Sequence, residues 1–547
     1  MDSRASTSVN GKKNYEVTVE VEVNEAEEQI LNALQETEKV VENDKNLKVM
    51  EAIKLYPKEI FWSCVFCIGV VMCGYDAAII TSFYALPAFQ KAFGEQDANG
   101  KYFILAPWQT ALGMGSPIGQ VIGTLGITYP LELFGRKWTY MVICLASVGL
   151  VFMQFFAPSL AVLTAGEILA GILWGSMVLI GPTYASEVSH IRLRGILTAM
   201  NNMAFVIGQF IASGMSQAFA TNSTKWAYKI QFAVQWVWPL LIIAMLPFAP
   251  ESPYWLVRKS RFEDARRSLK SLSSANTSPI EIEDRLNVIA QTDSLERQLE
   301  KTTSYFDLFR GTNFIRTEIC CMVYSIQVFC GVPFATGYST YFFELAGIST
   351  SVAFDLTLGS SAIGFVGTCC CWVLLSYCGR RRFYNFGLAI TTGLLFVIGL
   401  LDLPSNYTAK PGLAWTQATM MLIWSFIYQV STGPLCFVYI GEIPSTILKS
   451  KTIAFSTAMQ ACWYIVATIA LPYMLIPNEG NMRGKTSFVF GGMSLLCMVW
   501  SYFRLPETEG RSFEELDILF HKKVSPRKFK KTLLFESEKV EEDDTQV

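Results

Sequence analysis

The sequence predicts an all-α membrane protein: twelve transmembrane helices in two six-helix pseudo-repeat halves, joined by a cytosolic helical linker. Three observations predict it. Only 16% of the residues are charged and 51% are apolar, whereas soluble chains carry about 25% charged residues. Apolar runs recur at about the 20 residues needed to cross a hydrocarbon core roughly 30 Å thick. Several loop motifs of the first half return in the second.

The apolar runs predict helices over 60–83, 106–129, 138–157, 160–182, 196–217 and 231–249, then 319–344, 352–376, 383–401, 413–440, 452–475 and 486–505. Strands of a soluble sheet would be broken by turn signals every 8 to 12 residues or so, and these runs are not. Charge concentrates elsewhere. It divides the chain into a largely disordered cytosolic tail (1–57), a first half (58–257), a linker with short helices (258–316), a second half (317–506) and a cytosolic C-terminal tail (507–547).

Loops on the side of the linker hold Arg136, Lys137, Arg192, Arg194, Arg380 to Arg382, Lys449 and Lys451, flanked by Lys54, Lys58, Arg258, Lys259, Arg261 and Arg316. The positive-inside rule therefore puts both termini in the cytosol. The polar, acidic first fifty residues hold no cleavable-signal pattern. Asn222 and Asn406 are glycosylation acceptor sequences in predicted outside loops. The fourteen cysteines, including the run Cys369 to Cys371, show no paired spacing in an outside loop, so structural thiols are expected rather than disulfides or a zinc site.

Asp76 lies inside the otherwise uncharged run 60–83. A carboxylate there costs roughly 2.5–3.5 kcal/mol on insertion, and residues kept at that cost generally have a task. The only histidines, His190 and His521, fall outside the predicted spans. Proton chemistry within the membrane would therefore run on carboxylates.

The repeat is explicit: "LFGRKW" (133–138) returns as "YCGRRRF" (377–383), "PTYASEVSHIRLRG" (182–195) as "FVYIGEIPSTILKS" (437–450), and "APESP" (249–253) as "LPETE" (505–509). Two halves in the same orientation, with a cavity between them, are the architecture such a duplication implies. In the linker, "RFEDARRSLKSL" has helical periodicity and reads as a latch or scaffold.

These loops, with "PESPYWLVRKSR" and "LPETEGRSFEEL", resemble the sugar porter branch of the major facilitator superfamily (the MFS fold) over roughly residues 55–530. "YALPAFQKAFG", "GYSTYFFELAG" and "VSPRKFKKT" resemble fungal maltose and other α-glucoside permeases, which couple sugar uptake to protons. The resemblance implies a plasma-membrane symporter working by alternating access as a monomer in the lipid bilayer. A sugar, with a disaccharide expected, and a proton are its partners; no cofactor and no nucleic acid is implied.

Glu187 and Arg194, and Glu442 and Lys449, recur at one spacing beside cytosolic helix ends. With Glu132, Arg136 and Arg380 they are expected to form ion pairs that hold the inward gate shut in one state and separate in the other, static topology anchoring being the plainer alternative. The family's Asp-Arg is here Glu132-Leu133, Ser376 stands where the second copy has an acid, and His190 replaces a proline.

The resemblance places sugar contacts on Asn202, Gln327, Tyr338, Gln429, Phe437 and Gln460. Amides offer donors and an acceptor to hydroxyl groups, although any one alone is more often a packing amide. Phe437 and Ala461 stand where hexose porters have Trp, Asn202 is shorter than Gln, and Pro333 replaces an Asn. A site roomier than a hexose site is the expectation.

The resemblance makes Asp76 of "GYD" the proton carrier. Its usual Arg partner is replaced by Glu167 in "GEILAG", and two facing acids cannot both ionise cheaply, so the pair would share a proton tuned by Glu167. Other α-glucoside permeases have further acids where this chain has Cys73 and Gln120. A hexose transporter or facilitator without strong coupling is the alternative, and a non-transporting sensor a more distant one. An enzyme is not expected, because no paired catalytic carboxylates, Ser-His arrangement, metal cluster or phosphate-binding loop occurs.

Overall fold

The computed structural model describes residues 49–532, apart from 97–101, 221, 275–276, 300–303, 346–347, 376, 405–410, 446–447, 476–479, 481, 512 and 523. Most of the N-terminal tail, Ser376 and the acceptor Asn406 lie outside the described residues. Among those described, ten helices are long and apolar enough to cross a membrane. They are helices 1 (Pro57–Phe83), 3 (Arg136–Phe155), 4 (Leu160–Val188), 5 (Leu193–Phe219), 6 (Trp226–Phe248), 8 (Ser351–Leu375), 9 (Arg380–Leu401), 10 (Gly412–Glu442), 11 (Lys449–Leu475) and 12 (Arg483–Arg504).

Two more segments complete the expected twelve. Helix 2 (Ala106–Phe134) is 29 residues long but diluted by Gly, Thr, Ser, Pro and Gln120. Helix 7 is not the single run 319–344 that its apolarity predicts. It consists of Gly311–Phe329, a π turn at Pro333–Gly337, and Ser339–Leu345. The break has a local cause: Gly331 adopts φ +101°, and Pro333 removes a backbone donor two residues later. At its other end helix 7 reaches past the apolar run into charged sequence, where Arg316 pairs with Asp517 and Glu318 with Arg504.

Helix 2 packs against helix 4, and helix 1 against helix 5. The halves meet where helix 2 packs on helix 11 and helix 5 on helix 8, two contacts related by the repeat. A Cβ on Gly119 of helix 2 would overlap the backbone of Ile168 and Ile172 of helix 4, so the two helices approach as closely as a missing side chain permits. Phe61, Trp138, Phe152, Leu240, Phe386 and Leu496 are exposed on the outside of the bundle, as a lipid-facing surface requires. All fourteen cysteines are free thiols.

A short helix, Pro253–Arg258, ends the first half, and the linker supplies Phe262–Leu272 and Pro279–Leu299. It is anchored on helix 1: Arg285 pairs with the buried Glu59 at 3.4 Å and lies over the Tyr56 ring, which stacks on His190. On the linker surface, Arg266 pairs with Glu283 and holds that carboxyl below its usual range.

Candidate functional site

Asp76 sits two-thirds of the way along helix 1, and its carboxylate is enclosed by two other helices. Trp174 Nε1 of helix 4 donates to Oδ2 at 2.9 Å, and Gln235 Nε2 donates to Oδ1 at 2.8 Å. Gln235 lies between the helical segments Trp226–Val234 and Val237–Met245 of helix 6, and its side chain is fully buried. Glu167, about two turns from Trp174 on the same face of helix 4, is fully buried and accepts from Gln154 Nε2 of helix 3 at 2.8 Å. The Asp76 and Glu167 side chains line one cavity, where the two carboxyls act on each other electrostatically. The facing acids expected from the sequence are thus brought together. Gln154, Trp174 and Gln235 were not singled out by the sequence; their one signal was an amide or indole inside an apolar run.

Both acids line a cavity of about 900 Å³. The same cavity is lined by Asn202, Gln327, Tyr338, Gln429, Phe437 and Gln460, so all six residues carried over as sugar contacts face one space. Their amides are linked. Asn202 Nδ2 donates to Gln429 Oε1 at 2.7 Å, joining helices 5 and 10. Gln460 Nε2 donates to Gln327 Oε1 at 2.5 Å, and Gln327 Nε2 to the Gly433 carbonyl at 3.3 Å. Phe437 packs edge-on to Tyr324, with ring centroids 6.1 Å apart. Tyr338 is presented by the break in helix 7. Cys73, Gln120, Ala461 and Pro333 also line the space.

The cavity extends past Tyr84, Tyr102, Pro107 and Tyr473, at the end of the bundle away from the linker. The linker end is closed by paired charges arranged twice. In the first half Arg136 pairs with Glu187 at 2.6 Å, and Glu251 accepts the backbone N–H of Arg136 at 2.9 Å. In the second, Arg380 pairs with Glu442 at 3.4 Å, and Glu507 accepts the N–H of Arg381 at 3.3 Å. Tyr184 donates to the Pro250 carbonyl, and Tyr439 to that of Pro506. The three motifs that repeat in the sequence therefore meet in space, once in each half. Burial pushes the Glu251 carboxyl above its usual range against the pull of those N–H donors; burial and the neighbouring Glu509 do the same to Glu507.

Glu187 and Glu442 thus form ion pairs with the Gly-Arg loops, and Arg194 and Lys449 are buried nearby. Glu132 pairs with Lys451 of helix 11 at 3.1 Å, which links the two halves.

A two-half helical bundle closed at one end, with a polar cavity at its centre, defines a membrane transport protein. A family model described as "Sugar (and other) transporter" matches residues 62–520, and the chain belongs to that family. It is similar to the general alpha-glucoside permease of Saccharomyces cerevisiae, 35% identical over 509 residues that cover 92% of this chain and 82% of the relative. Its similarity to the maltose permease MAL31 of the same organism is 35% over 508 residues, covering 91% and 82%. The fold matches the proton:xylose symporter XylE bound to 6-bromo-6-deoxy-D-glucose, with a TM-score of 0.72 at 22% identity, over 85% of this chain and all of that one.

Proposed function

We propose that this protein imports maltose or related α-glucosides across the plasma membrane by proton symport. The observation that carries this reading is the convergence of four amides, two aromatics and a buried acid pair on one cavity. The names of the relatives support an α-glucoside as the sugar. Size supports it too: about 900 Å³, vestibule included, is near the top of the range of small-molecule pockets, roughly 300–1,000 Å³.

The halves 58–257 and 317–506 rock about the central site, and the linker 258–316 steadies the cytosolic face. Both termini lie in the cytosol. On that orientation the cavity opens outward, and the Arg136–Glu187, Arg380–Glu442 and Glu132–Lys451 pairs hold the inner end shut. They must separate for sugar to leave inward. The amides bind sugar hydroxyls; Asp76 and Glu167 hold the coupled proton between them.

The test is uptake of labelled maltose and glucose into membrane vesicles with and without a proton gradient. Maltose accumulation that collapses with the gradient is expected. Gradient-independent glucose equilibration would replace symport by facilitated hexose transport, the reading that the uncharged Cys73 and Gln120 favour.

A further inference from the structure

We propose that the transported proton rides on Glu167, while Asp76 stays a fixed carboxylate. This rests on the symport reading above and reverses the roles that the resemblance implies for the two acids. The assignment follows from which oxygens already have donors. Asp76 accepts through both oxygens, from Trp174 at 2.9 Å and Gln235 at 2.8 Å. Glu167 accepts through Oε1 alone, and its Oε2 is buried with no hydrogen-bond partner.

A proton on Asp76 would turn one accepting oxygen into a hydroxyl and weaken one of two short bonds to a charged acceptor, the stronger kind. A proton on Glu167 Oε2 leaves both Asp76 bonds with a charged acceptor and weakens only the single Gln154 bond, whose acceptor becomes a neutral carbonyl. It converts an orphaned buried acceptor into a donor, and the Asp76 carboxylate lines the same cavity as an acceptor for it. One proton thereby gives Glu167 Oε2 a partner, while Gln154 Oε1 and Gln235 Oε1 stay without one.

The surroundings allow no more than one negative charge. The titratable groups facing the pair are Cys73 and Tyr75 of helix 1 and Tyr84 beyond its end. Helix 2 presents Gly115, Ser116 and Gln120, helix 3 presents Gln154, helix 4 presents Trp174 and helix 6 presents Gln235. Among the described residues, no Lys, Arg or His lines the cavity. With no cation among them, two ionised carboxylates side by side are not sustained. In the cycle the proton enters from outside water onto Glu167 Oε2, crosses with the sugar and leaves from the same atom to the cytosol. The acid on helix 4 thus takes over from the acids missing at Cys73 and Gln120.

The experiment measures two quantities in cells expressing the protein: alkalinisation of a weakly buffered medium on adding maltose, and counterflow of labelled maltose. The unchanged protein is expected to do both. Glu167→Gln puts an amide N–H where the proton would be; it should keep counterflow, lose alkalinisation and lose its pH dependence. Asp76→Asn turns an NH2 group toward one of two N–H donors, so counterflow itself should fall. Glu167→Asp draws the carboxyl back by one methylene and should keep alkalinisation with a shifted pH midpoint, which also provides a variant if the Gln form is not made. Alkalinisation retained in Glu167→Gln, or an unmoved midpoint in Glu167→Asp, would overturn the assignment. So would an Asp76→Asn protein that keeps counterflow and loses only alkalinisation. Absence of alkalinisation in the unchanged protein would refute the symport reading itself.

Discussion

Lys451 of helix 11 and Glu132 of helix 2 form an ion pair, 3.1 Å long, across the boundary between the two halves. The Lys451 stem is buried and the Glu132 carboxylate is about a third exposed. A pair so placed is worth on the order of 1 kcal/mol, or about fivefold in a two-state equilibrium. Its effect is conformational, because rocking the halves pulls its partners apart. Lys451→Met should therefore shift the protein toward the inward-open arrangement by about that factor. The check is the apparent affinity for maltose added to the cytosolic face of inside-out vesicles, which should tighten; an unchanged value would reduce the pair to surface decoration.

Gly135 should tolerate no side chain. Its φ of +88° is left-handed, and a Cβ would lie 2.9 Å from Glu251 Cδ and 3.3 Å from Trp255 Cε3. Gly135→Ala would combine backbone strain, roughly 1–3 kcal/mol, with displacement of the carboxylate that caps helix 3. A lower thermal midpoint in detergent and less folded protein are expected. Gly379, the equivalent of Gly135 in the repeat, has ordinary negative φ, so its alanine variant should lose less.

That contrast bears on how much was legible in the sequence. Helix number followed from apolar runs, because the bilayer fixes their length. The repeated loops were legible as words, but the fact that they meet was not: Glu251 reaches Arg136 across more than a hundred residues, and no local periodicity records it. The spacing of Glu187 and Arg194 marked both as gate charges, but it did not single out Arg136 as the partner of Glu187 for the same reason, since Arg136 arrives from another helix. Gly331 and Pro333 stood in plain view, yet overall apolarity hid the break they make in helix 7. Asp76 was conspicuous as a charge among apolar residues. Trp174, Gln154 and Gln235 looked like ordinary helix residues until the fold aimed them at the two acids.

Gln327 joins Gln460 to the Gly433 carbonyl, so in this state it spends its hydrogen bonds on the protein. A sugar must exchange those bonds for its own hydroxyls. Gln327→Ala leaves ligand hydroxyls unpaired in a desolvated pocket, at a cost of roughly 1–3 kcal/mol. Maltose binding measured by displacement or fluorescence quenching should weaken by about one to two orders of magnitude. Unchanged affinity at normal surface expression would make Gln327 a packing amide.

Phe437 sets how much of the cavity a second sugar ring can use. Its ring packs edge-on to Tyr324 and lines the cavity beside the amide cluster. Ala461, also in the lining, presents only a methyl group. Phe437→Trp adds ring volume with nowhere buried to go: Tyr324 blocks one side, and overpacking a well-filled wall costs about 1–3 kcal/mol, so the indole must project into the cavity. A glucose bound at the amides would lose little space, whereas the second ring of maltose would meet the indole. Competition assays should show maltose uptake falling several-fold more than glucose uptake or glucose competition. The reverse change, Phe437→Ala, should spare maltose. Equal losses for both sugars in Phe437→Trp would place the second ring elsewhere and remove Phe437 from the determinants of size.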